Sequence, residues 1–507
     1  MDKQILLPGT LNPETRDHRA DTSLRGGISR RLFLKSSTAG LVGGAIAAGA
    51  ALPGESLAQN TAPPAGSGTS GRRLLLKGGI VLSMDPNVGD FEKADVLIEG
   101  KKIVAVGPNL KATAAVIDAT DRIVLPGFID THHHQYETAL RGILADGLLN
   151  GPRSYQSDIQ GILTPAYRPE DAQISELVAS LSQINAGVTT GVDTSQVSHT
   201  PEHTDACIAG HKEAGRRTVF AYSQGVGPGV KYPQDIRRLR TQYFSSEDQL
   251  LTLAMGGGAD ASIWALAREV GAPIVNHVVG NPGVLQKLGE AKLMGPDNEY
   301  IHCTRLTETV WQMIADTGGK VSIAPAIEMQ MRHGMPPFQA ALDHGIRPSL
   351  SVDVETNMAA DMFTIMRTAF TLQRALMNER ALAGEQNLPA LLTCRDVLEM
   401  ATIEGARTAH LDHRVGSLTP GKEADIILLR TDDINIFPVN NAPGAVVTLM
   451  DTSNVATVFI AGKIMKWNGK LLGVDLKKLR QSLDRARDGI LARAGYRPNL
   501  LNTCCPR

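Results

Sequence analysis

The chain reads as an α/β protein, a closed (β/α)8 barrel inserted into a small β-sandwich that both chain ends build. Three observations carry this expectation. Residues 127–353 hold eight short apolar runs, each followed by a helix-length segment. The flanking stretches 72–125 and 416–474 instead alternate short β-rich runs with glycine turns. Histidines and an aspartate stand at the ends of four of the eight runs, where a barrel gathers its chemistry.

Composition suits one large unit. At ~150 residues per domain the 507 residues would give about three, but an α/β barrel uses ~250 as a single domain. A net charge of -1 leaves no footprint for nucleic acid or an anionic membrane. The N-terminal part is of another kind. Ser29-Arg30-Arg31-Leu32-Phe33-Leu34-Lys35 matches the twin-arginine export consensus, and Ser56-Leu57-Ala58 offers a small-x-small cleavage site before Gln59. The apolar run 36–52 between them, about 17 residues rich in Ala and Gly, sits at the short limit for a membrane span. A cleaved signal over 1–58 is therefore expected rather than an anchor. It implies the twin-arginine machinery as partner, a periplasmic or secreted location, and no membrane contact after cleavage. Residues 59–71 read as a flexible linker.

The elements follow in order. In 72–125 the runs 74–76, 80–82, 96–98 and 103–106 are separated by Gly78-Gly79 and Glu99-Gly100, which is hairpin grammar. In the barrel region, 126–415, strands are expected at 127–131, 188–193, 218–222, 250–255, 273–277, 299–302, 320–324 and 348–353. Helices fill the gaps, for example 169–186 and 307–317, so right-handed crossovers and closure follow; an open doubly wound sheet is the rival. A helix over 358–380 covers the barrel. Strands return at 424–429 and 455–463, and a last helix from near Asp475 carries Leu476, Leu479, Leu483 and Ile490 on one stripe ahead of the tail to 507. Gly256-Gly257-Gly258 reads as a tight βα turn, since no Gly-Lys-Ser/Thr follows. Cys207, Cys303 and Cys394 read as buried thiols, and Cys504-Cys505 lacks the second pair of a zinc ribbon.

The most informative stretch is Leu125-Pro126-Gly127-Phe128-Ile129-Asp130-Thr131-His132-His133-His134. On a strand, side chains two apart share a face, so His132 and His134 point one way and His133 the other. Two neutral imidazoles on one face suit a divalent metal of borderline softness. The fifth strand ends in His277, the sixth in His302 and the eighth in Asp353. Zinc, iron(II) and manganese(II) all accept such ligands.

This segment resembles the first-strand signature of the amidohydrolase superfamily, PGF-[IV]-D-x-H-x-H, and the likeness covers about residues 73–470. The resemblance implies a metal held by His132, His134, His277 and Asp353, with zinc favoured, and His302 and Asp353 as the catalytic pair. Binuclear members carry a carboxylated lysine or glutamate at the fourth strand end. Here Met255-Gly256-Gly257 offers neither, so one metal ion is expected. The chain order further resembles the deaminase and chlorohydrolase branch, with two departures. Glu328 stands where that branch has Asn, and Gly280 stands where its deaminases carry a proton-donating Glu. Glu328, Glu355 and Glu137 are the remaining carboxyls on nearby loops.

Gln135, Arg141, His199, Glu328 and His333 are the candidate substrate contacts. His203, His211, His344, His410 and His413 read as ordinary polar residues. The expected function is a mononuclear metal-dependent hydrolase that cleaves a non-peptide C–N bond of a small molecule. The alternatives are a heteroaromatic deaminase or dehalogenase, and a catalytically silent binding barrel. Superfamily habit implies a dimer or higher homo-oligomer.

Overall fold

The computed structural model describes residues 62–501. The expected signal over 1–58, the start of the linker, and Cys504 and Cys505 lie outside the described residues. Five strands open the fold: β1 (Arg73–Val81), β2 (Phe91–Glu99), β3 (Lys102–Gly107), β4 (Ala115–Asp118) and β5 (Arg122–Pro126). The β2–β3 reversal turns on Gly100, whose φ of +56° is open to glycine at little cost. The barrel strands follow: β6 (Phe128–His133), β7 (Val188–Ser195), β8 (Arg217–Tyr222), β9 (Leu251–Gly257), β10 (Ile274–Val279), β11 (Asn298–Thr304), β12 (Lys320–Ile323) and β13 (Ser349–Leu350). The last four are β14 (Ile426–Arg430), β15 (Val455–Ile460), β16 (Lys463–Trp467) and β17 (Lys470–Leu471).

The chain ends meet at the β5–β14 pair, in register from Arg122 opposite Arg430 to Pro126 opposite Ile426. Hydrogen bonding then runs unbroken from β17 through β14 and β5 to β3, so the expected two-sheet sandwich is one nine-stranded sheet. It curls over on itself. Ile98 and Ile103 at one end share a buried cluster with Phe459 and Ile464 at the other. Ile103 N donates to Lys422 O at 2.9 Å across the seam. The described part of the 59–71 linker is a series of turns held to this sheet, with Ile464 N donating to Ser67 Oγ at 3.0 Å. That contact replaces the expected flexibility.

The eight barrel strands run in chain order, β6 to β13, and neighbouring strands pair in parallel. Closure comes from a parallel bridge between His133 and Asp353. Asp353 N donates to His132 O at 2.9 Å, and His134 N donates to Asp353 O at 2.8 Å. The eighth strand itself is only two residues long, so these bonds do much of the closing. Inside, Ile129, Val192, Val219, Ala254, Val275 and Ile301 pack with Ala406, Leu411 and Val415 from the segment after the barrel. That segment plugs the N-terminal end and leaves the other end for chemistry.

The helix expected at 358–380 is Met362–Leu382, capped by Asp361, whose carboxylate accepts from Thr364 N at 2.9 Å. The last helix, Leu476–Ala494, is capped by Asp475 as expected. Its stripe begins later, because Leu476 is 68% exposed while Ile490 is buried. No helix among the described residues is long and apolar enough to cross a membrane.

The triple glycine differs from expectation too. Gly256 and Gly257 continue β9, and the strand leaves its ladder only at Gly258. A Cβ on Gly256 would lie 2.1 Å from Ser223 Oγ and 2.9 Å from Ala221 O, so glycine lets two barrel strands approach. Gly256→Ala is expected to cost about 1–3 kcal/mol by forced repacking. A fall in the urea midpoint with an unchanged m-value would register it.

Candidate active site

The site is built at the C-terminal ends of β6, β10 and β11 and on the residues just after β13. Strand alternation aims His132 and His134 into the mouth, with ring centroids 4.8 Å apart. His133 faces the other way, toward Asp130 at 3.6 Å and Glu355 at 3.9 Å. Asp353 is the hub. Its Oδ1 lies 3.0 Å from His132 Nε2 and 3.6 Å from His134 Nε2, and its Oδ2 lies 3.7 Å from His302 Nε2. His277 Nε2 lies 3.3 Å from His134 Nε2. The structure thus brings together His132, His134, His277, His302 and Asp353.

Neighbouring groups fix the tautomers. Thr194 O can only accept, so His134 Nδ1–H donates to it at 3.1 Å and leaves Nε2 as a lone pair. His132 Nδ1 lies 2.9 Å from Thr194 Oγ1, so one β7 residue holds both first-strand rings. Burial pulls the pKa of His134 down to about 3 and that of His277 well below the ordinary histidine value. Burial also lowers that of His132, against the Asp353 hydrogen bond and charge. Burial pushes Asp353 up, but the His132 hydrogen bond and the surrounding imidazoles hold it well below the usual carboxylate range. Neutral imidazole lone pairs around one carboxylate form a donor set for a divalent cation. His134 and His277, whose Nε2 atoms face each other at 3.3 Å, would be among the residues that hold it.

The cavity at this mouth measures about 320 Å³. His134, His277, His302, His333 and Asp353 line one side, and Leu149, Val279, Met331 and Val354 form the apolar walls. Tyr155, Gln156 and Gln196 complete it. A larger groove of about 1010 Å³, between the helices Pro169–Asn185 and Leu476–Ala494, lies elsewhere and includes none of these residues.

The five candidate substrate contacts separate clearly. His333 lines the cavity with both ring nitrogens unpartnered, its ring 4.9 Å from that of His302. Glu328 lies behind His302, its Oε1 accepting from His302 Nδ1 at 3.1 Å and from Ala324 N at 2.9 Å. Gln135, Arg141 and His199 are absent from the cavity walls, because other bonds occupy them. Gln135 Oε1 accepts from Ser180 Oγ at 3.1 Å, and Arg141 Nε donates to Glu355 Oε1 at 2.8 Å. His199 Nε2 donates to Thr164 O at 2.8 Å and its Nδ1 accepts from Val226 N at 3.0 Å.

Sequence reasoning missed Tyr155, Gln196 and Thr194. Tyr155 opens a π-helical segment, Tyr155–Leu163, and its hydroxyl donates to Glu137 Oε1 at 2.7 Å. Glu137 is fully buried and burial pushes its pKa up to about 8. Gly280, where a proton-donating glutamate was sought, has a φ of +65°.

A closed β/α barrel whose strand ends converge four histidines and an aspartate on one small cavity defines a metal-dependent hydrolase. The chain belongs to the amidohydrolase family, whose profile matches residues 123–465. A 5'-deoxyadenosine deaminase of Methanosarcina mazei is 28% identical over 451 residues, covering 83% of this chain and 99% of its own. A 5-methylthioadenosine/S-adenosylhomocysteine deaminase of Syntrophus aciditrophicus is 27% identical over 455 residues, covering 82% and 98%. Among solved structures, a zinc-bound adenosine deaminase from Xanthomonas campestris superposes with a TM-score of 0.73 at 21% identity, covering 84% of this chain and all of that one. The zinc complex of atrazine chlorohydrolase from Arthrobacter aurescens gives a TM-score of 0.72 at 21% identity, covering 82% and 100%. The chain is accordingly a hydrolase of the amidohydrolase family.

The raised Glu137 pKa sets a pH dependence. In the chelated protein the folded state keeps this proton up to about pH 8, whereas the unfolded chain releases it near 4.5. Stability therefore falls as pH rises between those values, and below 4.5 both states are protonated. Glu137→Gln is expected to flatten that slope, seen in urea midpoints at pH 5 and pH 8; equal slopes in both proteins would refute the assignment.

Proposed function

We propose that the protein is a mononuclear zinc hydrolase that opens an amide-like or amidine C–N bond of a small molecule. Its metal is held by His132, His134, His277 and Asp353. The observation that carries the reading is the convergence of His132, His134 and His302 on the Asp353 carboxylate, with His277 facing His134 at the same cavity. A single ion is supported by β9, which ends in glycine where a bridging lysine or glutamate would stand. Zinc is supported by the nitrogen and oxygen donor set and by the zinc in the two solved relatives. We extend the proposal to export through the twin-arginine machinery to the periplasm, supported by Ser29–Lys35.

When bound, a divalent cation supplies Lewis-acid activation of water near neutral pH. The chain's own groups do the rest. Asp353, ionised and central, takes the proton of the attacking water and delivers it to the leaving nitrogen. His302 stabilises the developing oxyanion or orients the water. Burial draws its pKa down, but the Glu328 hydrogen bond and the Asp353 and Glu328 charges outweigh burial and raise it, which favours an Nε2–H donor. Leu149, Met331 and Val354 keep bulk water from the reacting bond.

Deamination of a purine-like ring is the second reading, favoured by the relatives named for that activity. It needs a ring-nitrogen proton donor, and Gly280 removes the one found in that branch. A panel of amides, amidines, aminated rings and halogenated rings, scored for amine, ammonia and halide release, separates the readings. Ammonia release confined to aminated rings would favour the second.

Asp353→Asn is expected to lower kcat by about 10²–10⁴. His132→Ala and His277→Ala are each expected to lose one equivalent of metal, measured by elemental analysis. Full activity of either metal-depleted variant would sink the proposal.

A further inference from the structure

Behind the first-strand histidines lies a second convergence of metal-type donors that the reaction does not use. Glu176 on the helix Pro169–Asn185, Asp193 on β7 and His211 on the helix Pro201–Ala214 are all buried at 0% exposure. His211 Nε2 lies 3.0 Å from Asp193 Oδ2 and 3.2 Å from Glu176 Oε2, and one donor atom from each residue falls within 4.8 Å of the others.

The arrangement is incomplete as it stands. An Nε2–H is a single donor and serves one carboxylate; the hydrogen bond goes to Asp193. Both carboxylate oxygens of Glu176 are buried and lack a hydrogen bond of normal geometry, with only the weak Cys207 thiol and the shared Arg216 charge beside them apart from His211. A buried carboxylate without a partner is costly, and native folds rarely leave one. The nearby Arg216 guanidinium does not fill the gap. Its hydrogen bonds go to Gln183 Oε1 and Thr218 Oγ1, and Gln183 in turn donates to Asp130 Oδ2. Arg216 is shared, its charge acting on Asp130, Asp193 and Glu176 alike, so it offsets the two carboxylates around His211 only in part.

We infer that Glu176, Asp193 and His211 enclose a second divalent cation of the zinc, manganese or iron(II) class, separate from the catalytic metal. Two carboxylates and one neutral imidazole carry a charge of -2, which the shared Arg216 offsets only in part and a divalent cation would offset further. Tetrahedral ligands at about 2.1 Å lie about 3.4 Å apart, so the His211 contacts to Asp193 and Glu176 need open by only a few tenths of an ångström. His211 Nδ1 faces Ser180 Oγ at 3.3 Å, the outer hydrogen bond that orients a ligating ring. The site has a structural role. Asp193 precedes Thr194, which holds His132 and His134, and Asp193 Oδ1 accepts from Gln135 N at 3.3 Å. Because the ligands are enclosed, the ion enters as the chain folds and resists chelators afterwards.

The test is elemental analysis of the purified full chain, grown with metal supplied, before and after chelation, beside the His132→Ala/His277→Ala variant. Two equivalents are expected in the wild type. One is expected after chelation has abolished turnover, and one in the double variant. Anomalous diffraction of the wild type, which needs no variant at the buried site, should show a peak among Glu176, Asp193 and His211. One equivalent in the wild type and none in the double variant would overturn the inference. So would two equivalents that both vanish in that variant, which would indicate a binuclear catalytic centre.

Discussion

The backbone bridge between His133 and Asp353 is the constraint on which the rest depends. It closes the barrel, because β13 is too short to pair with β6 along its length. The same two hydrogen bonds set the height of Asp353 against His132 and His134. Closure and the geometry of the candidate ligands are therefore one event. The backbone conformations agree with this. Asp353 has a φ of +66° and His302 one of +70°, a region that non-glycine residues occupy at a cost of order 1–3 kcal/mol. Such conformations persist where surrounding structure over-determines them, and here the barrel rim does.

Under that rim lies a polar layer in an otherwise apolar interior. Asp130 Oδ1 accepts from Val352 N at 3.0 Å, and its Oδ2 accepts from Gln183 Nε2 at 2.6 Å. It thereby ties β6 to the residue before Asp353 and to the first outer helix. Burial pushes its pKa up to about 7, against the Gln183 and backbone hydrogen bonds and the Arg216 charge. The layer continues through Arg216 to Asp193 and His211. Each member is held by groups from another element, so the first-strand histidines rest on β7, β8 and two helices at once. Rigid placement of ligands by such outer bonds is what a metal site requires.

Much of this was legible in the sequence, for a physical reason. A strand's period of two and a helix's period of 3.6 leave marks in hydrophobicity, and ligands at strand ends inherit positions from that pattern. The grouping of His132, His134, His277, His302 and Asp353 at one mouth follows from that pattern. Tyr155 was not, because a π-helical segment between elements has no such period. Glu176, Asp193 and His211 were missed because they meet only through tertiary packing of three elements. The curled nine-stranded sheet likewise reads in sequence as hairpins, since nothing local says that β14 adds to β5. Gln135, Arg141 and His199 were placed near the mouth by sequence order alone, and order does not reveal which partner occupies a side chain.

Gly280 shows how backbone and chemistry constrain each other. Its φ of +65° suits glycine, and Gly280 N donates to Thr304 O at 3.1 Å, which fixes the turn after β10. A Cβ there would sit 3.6 Å from Arg305 Cδ, so space is available. Backbone conformation, not crowding, is what disfavours a glutamate, by roughly 1–2 kcal/mol. The turn has thus settled into a form that a proton-donating side chain would have to strain. The cavity retains His333, whose nitrogens are unpartnered, and Tyr155, whose hydroxyl proton is given to Glu137. Neither follows β10 in the chain, where the deaminase branch carries its proton-donating glutamate. A C–N bond whose leaving nitrogen can be served by Asp353 alone asks nothing of that position. This is the ground for proposing an acyl or amidine substrate rather than an aromatic ring.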